Sequence, residues 1–253
     1  WNICLSVHFY TGLSMLETMG EPIKRYGWLC ESQSIATKEY ELFDTYLGLH
    51  KDFDLVFTFS ETLLERFQNF RLLLFWFWWY GNETYNGIRD KVQITDLAYQ
   101  KKDKNISMVC SEKVACKMHK IRQCFAKDAL KSGKVDVFGR FNHRPIPFKS
   151  QSLEHYRYQI VIENDISSFY FTEKILDCFA SMTIPIYLGA TKIDKFFNTD
   201  GIIILKEDSN LDSLLKTCCK EDYESRLEAI RDNYHRLFGY NVENKILETI
   251  KEG

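Results

Sequence analysis

The sequence predicts an α/β fold of two Rossmann-like domains facing an interdomain cleft, and three observations carry that reading. Short β-rich runs alternate with helical patterns along the chain, joined by short connections, which argues for mainly parallel sheets. A polar stretch between Gly81 and Lys104 (NETYNGIRDK, then YQKKDKN) splits the alternation into two blocks. This sets a boundary near residue 100, with one domain over 1–100 and a second over 101–253. The 253 residues, 45% hydrophobic and 27% charged, suffice for one large domain or two compact ones.

Taken in order, the strand candidates are Gly27–Cys30, Leu55–Phe59, Leu72–Phe77, Ile106–Cys110, Val135–Phe138, Gln159–Ile162, Ile184–Leu188 and Ile202–Leu205. Leu72–Phe77 opens the most apolar run of the chain, Leu72 to Tyr80 (LLLFWFWWY), whose branched and aromatic content reads as a buried strand. The alternative for this run is an aromatic platform for a sugar or a membrane surface. At nine residues it falls far short of the roughly 20 that span a bilayer as a helix. Helical patterns lie between the strands at Lys38–His50, Glu61–Phe67, Ala115–Lys131, Glu173–Met182 and Leu211–Lys216. Amphipathic patterns at Asp222–Phe238 and Val242–Lys251 close the chain, the last of them expected to pack back across the domains.

With 33 basic and 35 acidic side chains the formal net charge is -2. The broad basic surface of a nucleic-acid binder is therefore missing, although a local basic pocket is compatible with it. The composition is neither Pro/Gly-rich nor charge-blocked, which excludes disorder and collagen. Eight cysteines (Cys4, Cys30, Cys110, Cys116, Cys124, Cys178, Cys218, Cys219) include no C-x-x-C pair. Structural zinc spacing is thus lacking, and the cysteines read as mostly reduced. The six histidines show no ligand spacing. Asn82 and Asn105 head glycosylation-type triplets, but Asn105 opens a predicted strand.

The chemistry concentrates between Tyr156 and Ala190. Strand Gln159–Ile162 ends in Glu163-Asn164-Asp165, at the carboxyl edge where open α/β sheets bind ligands. A short loop then leads to Tyr170-Phe171-Thr172-Glu173-Lys174 and a helix. Thr172 is placed as N-cap, its hydroxyl expected on a free amide of the first turn. The helix start and Lys174 together form a candidate diphosphate site. Thr-Glu-Lys also fits plain capping, with Lys174 solvated.

This segment resembles the donor-binding signature of glycosyltransferase family 10, the α1,3/4-fucosyltransferases. The resemblance rests on Ile162-Glu163-Asn164, Tyr170-Phe171-Thr172-Glu173-Lys174 and Thr183-Ile184-Pro185-Ile186-Tyr187-Leu188-Gly189. Ile162, Asp165 and Phe171 depart from the family pattern without removing a side chain expected on the phosphates. Asn105 to Arg140 resembles the preceding family stretch, with Ser111 matching its serine, Glu112 in place of a common Asn, and Arg122 falling where the family's arginine approaches the diphosphate. On its own residues, Arg122 belongs to a basic helix with Lys117, Lys120 and Lys127, which a solvated face would equally explain. Tyr26 to Ser34 resembles the family's strand followed by Glu-Ser-Pro-Ser, with Gln33 for Pro and Glu31 at the position of the proposed catalytic base. Before Trp28 the family's first strand is hard to find, so the N-terminal domain reads as divergent or truncated. The chain starts at Trp1, which leaves an upstream segment open.

The resemblance implies a GT-B enzyme that transfers fucose with inversion from GDP-fucose to a hydroxyl of a glycan acceptor. Its implied roles are Glu31 as general base, and Ser111, Arg122, Glu163, Asn164, Tyr170, Thr172, Glu173 and Lys174 as donor-binding residues, with no metal or other cofactor required. The alternatives are another nucleotide-sugar donor on the same scaffold, or a non-catalytic nucleotide- or glycan-binding module. No nucleic-acid partner is expected; peripheral membrane association, compartment and oligomeric state stay open. Asp52-Phe53-Asp54 is a D-x-D pair able to bind a divalent cation, but it precedes its strand and is expected at the wrong end of the sheet.

Overall fold

The computed structural model describes residues 6–17 and 23–252; Cys4 lies outside the described residues. The first sheet holds β1 (Val7–Thr11), β2 (Lys24–Trp28), β3 (Leu55–Thr58) and β4 (Phe70–Leu72), all parallel and in sequential order. Helices α1 (Thr37–Thr45) and α2 (Glu61–Arg66) make the later crossovers. Side chains alternate across this sheet with the strand's period of two. Tyr10, Val56 and Phe70 pack with Tyr40, Phe43 and Leu63 on one face. Tyr26, Leu55 and Phe57 point the other way and join a core that continues into the second half of the chain.

A hairpin of β5 (Thr84–Tyr85) and β6 (Ile88–Arg89) leads to the second sheet. That sheet holds β7 (Lys104–Val109), β8 (Val135–Phe138), β9 (Tyr156–Ile162), β10 (Ile184–Leu188) and β11 (Ile203–Ile204). All are parallel, in the order β8-β7-β9-β10-β11. This is a doubly wound sheet whose order reverses between β7 and β9, and such sheets bind ligands at the carboxyl end of that reversal. Helices α3 (Lys117–Ser132), α4 (Ser150–Leu153) and α5 (Glu173–Ala180) lie between its strands, and α6 (Leu211–Thr217), α7 (Lys220–Ser225), α8 (Leu227–Leu237) and α9 (Val242–Glu252) follow the last one. No helix among the described residues is long and apolar enough to cross a membrane.

Several predicted elements need correction. β1 is a strand where none was predicted. The predicted strand at Leu72–Phe77 ends at Leu72, and residues 73–80 form an extended strap between the two sheets. The Leu73 amide still donates to the Thr58 carbonyl of β3 at 3.0 Å, but later donors go elsewhere: Leu74 N–H to Tyr240 Oη at 3.4 Å, and the Trp79 and Tyr80 amides to Asp177 Oδ1 at 2.6 and 2.9 Å. Within the strap Trp76 serves packing: it stacks on Phe197 and Tyr240 with ring centroids 5.1 and 4.7 Å apart and donates to the Leu237 carbonyl at 2.8 Å. Helix Lys38–His50 stops at Thr45, because Gly48 turns the chain through φ 94° into a short 3-10 turn. The helix predicted over Asp222–Phe238 breaks at Arg226 (φ -99°, ψ 2°), whose guanidinium reaches back to Asp222 at 3.1 Å and across to the Asp200 carbonyl at 2.7 Å.

Candidate active site

Two glycines bring the strand ends together. Gly139, just after β8, has φ +100°, and a Cβ there would stand 2.1 Å from the Cys110 carbonyl oxygen beside β7. Gly189, just after β10, lets Glu163 approach; a Cβ would lie 2.6 Å from Glu163 Cγ and 2.3 Å from Tyr187 Oη. Side chains of any size at these positions would force the strand ends apart.

At the carboxyl ends of β7 and β9 lies a cavity of about 290 Å³, at the reversal of strand order. Its wall contains Ser111, Arg122, Asn164, Glu173 and Lys174, five of the nine candidate residues. Lys113, His119 and Lys149 line it as well. Four basic side chains and His119 thus face Glu173 as the one carboxylate of the wall, a field suited to an anion.

Arg122 is buried on the inner face of α3, whereas Lys117, Lys120 and Lys127 are exposed. Its Nε donates to the Ile162 carbonyl at 2.9 Å and its Nη2 to the same oxygen and to Asn164 Oδ1, the latter at 2.9 Å. Nη1 takes no protein partner among the described residues. His119, one turn earlier on the same face, accepts the Ala115 amide at Nδ1 (3.1 Å), so Nε2 carries the proton and meets Asn164 Oδ1 at 3.2 Å. Burial, then the Arg122 charge, lowers the His119 pKa and keeps the ring neutral. The Asn164 oxygen is thus occupied twice, while its NH2 has no protein partner among the described residues.

Beneath this wall sits Glu163, fully buried. Its Oε1 accepts the Thr172 amide at 2.9 Å, and its Oε2 accepts the Thr172 hydroxyl at 2.8 Å and Lys174 Nζ at 3.2 Å. The expected N-cap bond from the Thr172 hydroxyl to the first turn is therefore absent. A dehydrated carboxylate is a stronger acceptor, and it needs every donor within reach. Glu163 and Thr172 consequently anchor Lys174 from below and lie outside the cavity wall. Lys174 Nζ also lies 2.8 Å from Thr172 Oγ1 and 3.3 Å from Glu173 Oε1. Burial raises the Glu173 pKa, but the Lys174 and Lys149 charges outweigh it, and the net shift is downward.

The remaining two candidates meet across the cleft. Glu31, just beyond β2, is half-buried, and its Oε1 accepts the Tyr170 hydroxyl at 2.9 Å and the Ser32 amide at 2.8 Å. The carboxyl ends of the two sheets therefore face each other at this contact. Glu61, at the start of α2, bonds Ser168 and Lys192 beside the same loop.

His119 and Lys149 are absent from the sequence-predicted set. His119 stands three residues before Arg122, a spacing that shares one helix face, so a signal existed. Lys149 lies just outside a four-residue helix and offered none; its Nζ meets buried Asp177 Oδ2 at 3.0 Å. The D-x-D pair is remote from this cavity: Asp54 binds Lys24 Nζ at 2.7 Å and the Arg25 amide at 2.8 Å at the amino end of β3. Asp52 borders a separate cavity of about 550 Å³ with Arg25 and Lys51. Among the described residues, no three His, Cys, Asp or Glu side chains gather in metal-binding geometry.

The family model for glycosyltransferase family 10 (fucosyltransferase), C-terminal part, matches residues 99–247. The Helicobacter pylori alpha-(1,3)-fucosyltransferase FucT is 34% identical over 98 residues, which is 39% of this chain and 19% of that protein. The match thus spans about a fifth of that relative's length. A crystal structure of an α1,3-fucosyltransferase with GDP-fucose superposes on 98% of this chain and 77% of its own, with a TM-score of 0.59 and 17% identity. One with GDP covers 99% and 78%, at 0.60 and 19%. At these identities the likeness is one of fold, and that fold is GT-B: two α/β domains with parallel sheets.

Proposed function

The chain belongs to glycosyltransferase family 10, and on that footing we propose that it transfers fucose with inversion from GDP-fucose to a hydroxyl of a glycan acceptor, as an α1,3-fucosyltransferase-like enzyme. One observation carries the reading. A cation-lined cavity lies at the strand-order reversal of the second sheet, and the loop that ends at Lys174 also bonds, through Tyr170, a carboxylate of the first sheet, Glu31, which supports an anionic leaving group and a base supplied from two sides.

In this reading the diphosphate occupies the cavity against Lys174, Arg122 Nη1 and the Asn164 NH2, at the positive end of α5. Ser111 and Glu173 take hydroxyls of the nucleotide or the sugar. The acceptor oxygen attacks the anomeric carbon from the face opposite the leaving phosphate, through an oxocarbenium-like transition state. Its proton passes to Glu31 while the bond from carbon to phosphate oxygen breaks. Negative charge then grows on the diphosphate, where Lys174 and Arg122 are already placed and need no reorganisation. Since fixed cations supply this stabilisation, a chelator is expected to leave most of the activity in place; complete metal dependence would contradict the assignment.

The test is a transfer assay with GDP-fucose, with UDP- and CMP-sugars in parallel, followed by NMR of the product's anomeric configuration. Turnover restricted to GDP-fucose with inversion supports the proposal. Turnover with another donor moves it to a different sugar on the same scaffold. GDP binding without turnover on a panel of glycans would reduce it to a binding module.

A further inference from the structure

The cavity wall holds a side chain that the family resemblance leaves without a role. His119 is buried in the first turn of α3, where it joins two separate pieces of backbone. Its Nδ1 accepts the Ala115 amide at 3.1 Å, and its Nε2 lies 3.2 Å from Asn164 Oδ1. The N-cap residue Cys116 makes no side-chain bond to the helix start. His119 instead reaches back past it, a cap supplied from within the first turn. Capping accounts for the Nδ1 contact. It does not account for the Nε2 contact, which leaves the helix for the carboxyl end of β9.

The proton positions follow from one fixed donor. A backbone N–H can only donate, so Nδ1 is the lone-pair nitrogen and a neutral ring carries its proton on Nε2. Burial and then the Arg122 charge push the ring's pKa down, in keeping with a neutral ring. Arg122 Nη2, 2.9 Å from the same Asn164 atom, is also a donor. An atom on which two donors converge has to be the amide oxygen. Half a turn of the amide would set its NH2 against both N–H groups and forfeit two bonds. The NH2, without a protein partner among the described residues, belongs to a residue of the cavity wall.

We propose that His119 is a positioning residue for donor binding: its Nε2–H locks the Asn164 amide with the oxygen turned to α3 and the NH2 free to donate to the diphosphate of a nucleotide sugar. The proposal rests on the reading of this cavity as the diphosphate site. A donor held in place beforehand needs no reorientation when the anion arrives. The same ring, through Ala115, holds the loop whose Ser111 and Lys113 line the cavity.

Two substitutions divide the ring's contacts. Asparagine sets an acceptor about where Nδ1 stands and does not reach Asn164, whereas glutamine brings an NH2 to the Nε2 position and gives up the Nδ1 acceptor. In calorimetry His119→Asn should raise the Kd for GDP by about threefold to tenfold, with an unchanged melting temperature. His119→Gln should rescue affinity to within about twofold of wild type while melting earlier, since the cap is lost. In an Asn164→Ala background, His119→Asn should weaken GDP by no more than about a further twofold. The reverse pattern, with the Asn variant tight and the Gln variant weak, would reduce His119 to a helix cap. Losses that multiply in the double variant would put the ring on the ligand itself, and either result overturns the proposal. Should the variants fail to fold, 15N NMR of the wild-type ring at about pH 8 gives the readout. A proton on Nε2 with and without GDP supports the lock, and a proton on Nδ1 refutes it. A wild type that does not bind GDP would overturn the diphosphate reading and the proposal with it, whereas GDP binding with the reversed pattern overturns the proposal alone.

Discussion

Lys174 has two tasks that separate experimentally. It faces the cavity, and it neutralises the dehydrated Glu163 at 3.2 Å. Lys174→Ala should therefore weaken GDP by about tenfold to a hundredfold, the worth of a charge-assisted hydrogen bond. It should also cut turnover by at least about a hundredfold, because it acts where charge develops. A lowered melting temperature is expected alongside, from the carboxylate left without its cation. Glu31→Gln should behave differently, with GDP affinity unchanged and turnover down about 10²–10⁴-fold. Calorimetry and initial rates on both variants check the division of labour, which fails if Glu31→Gln loses GDP or Lys174→Ala keeps it. A third residue bears on stability alone. Lys102 is buried, its Nζ donating to the Leu153 carbonyl and Thr183 Oγ1, each at 2.8 Å. Burial lowers its pKa from 10.5 to about 7. Between these values the unfolded chain holds one proton more than the folded one, so raising the pH stabilises the fold; below about 7 both states are protonated and the effect is flat. Relative to Lys102→Met, wild type should gain roughly 2 kcal/mol from about pH 7.5 to about pH 9 in urea melts. A difference independent of pH would mean that Lys102 stays charged.

Among the elements, the strap over residues 73–80 ties the two halves. Even-numbered Leu74, Trp76 and Tyr80 turn inward, whereas Phe77 and Trp79 are exposed. Trp76→Ala removes a ring packed on Phe171, Phe197 and Tyr240, and should cost about 3–5 kcal/mol in chemical denaturation. A loss below about 1 kcal/mol would show that the strap merely spans the halves. This run also marks the limit of what the sequence could say. Its apolar content announced burial, but ladder partners and ring partners produce the same composition, and the choice depends on Asp177 and Tyr240, distant along the chain. Val135–Phe138 and Ile184–Leu188, by contrast, were legible to the residue, because each is a short run rich in branched and aromatic residues that ends at a glycine, Gly139 or Gly189. The site divided along the same line. The family resemblance gave Arg122, Asn164, Glu173 and Lys174 as donor-binding residues, and the structure puts them in one wall. The resemblance did not indicate that Glu163 and Thr172 lie beneath that wall, since two carboxylates on one loop, Glu163 and Glu173, look alike until burial separates them. Lys149 stayed invisible because its place is set by tertiary contacts with Asp177 of α5 and with Glu83.

At the scale of the whole molecule, the halves share more than a hinge. Domains within a chain usually meet over modest, partly polar interfaces and move relative to each other. Here one hydrophobic core runs from Tyr26 and Phe57 of the first sheet, through Phe59, Leu73 and Trp76, to Ile160 and Ile186 of the second. Polar ties cross at the same place, with Glu31 bonded to Tyr170 and Glu61 to Lys192. Breaking either sheet would expose apolar surface of the other, so the halves should unfold together. Scanning calorimetry is expected to give one transition whose calorimetric and van't Hoff enthalpies agree. GDP at about a hundredfold excess over its Kd adds roughly 2.7 kcal/mol to the native state. For a chain of this size that should move the whole transition up by about 5–10 °C without splitting it. Two resolved transitions, with GDP shifting only one, would show that the second sheet folds and binds alone and that the shared core contributes little coupling.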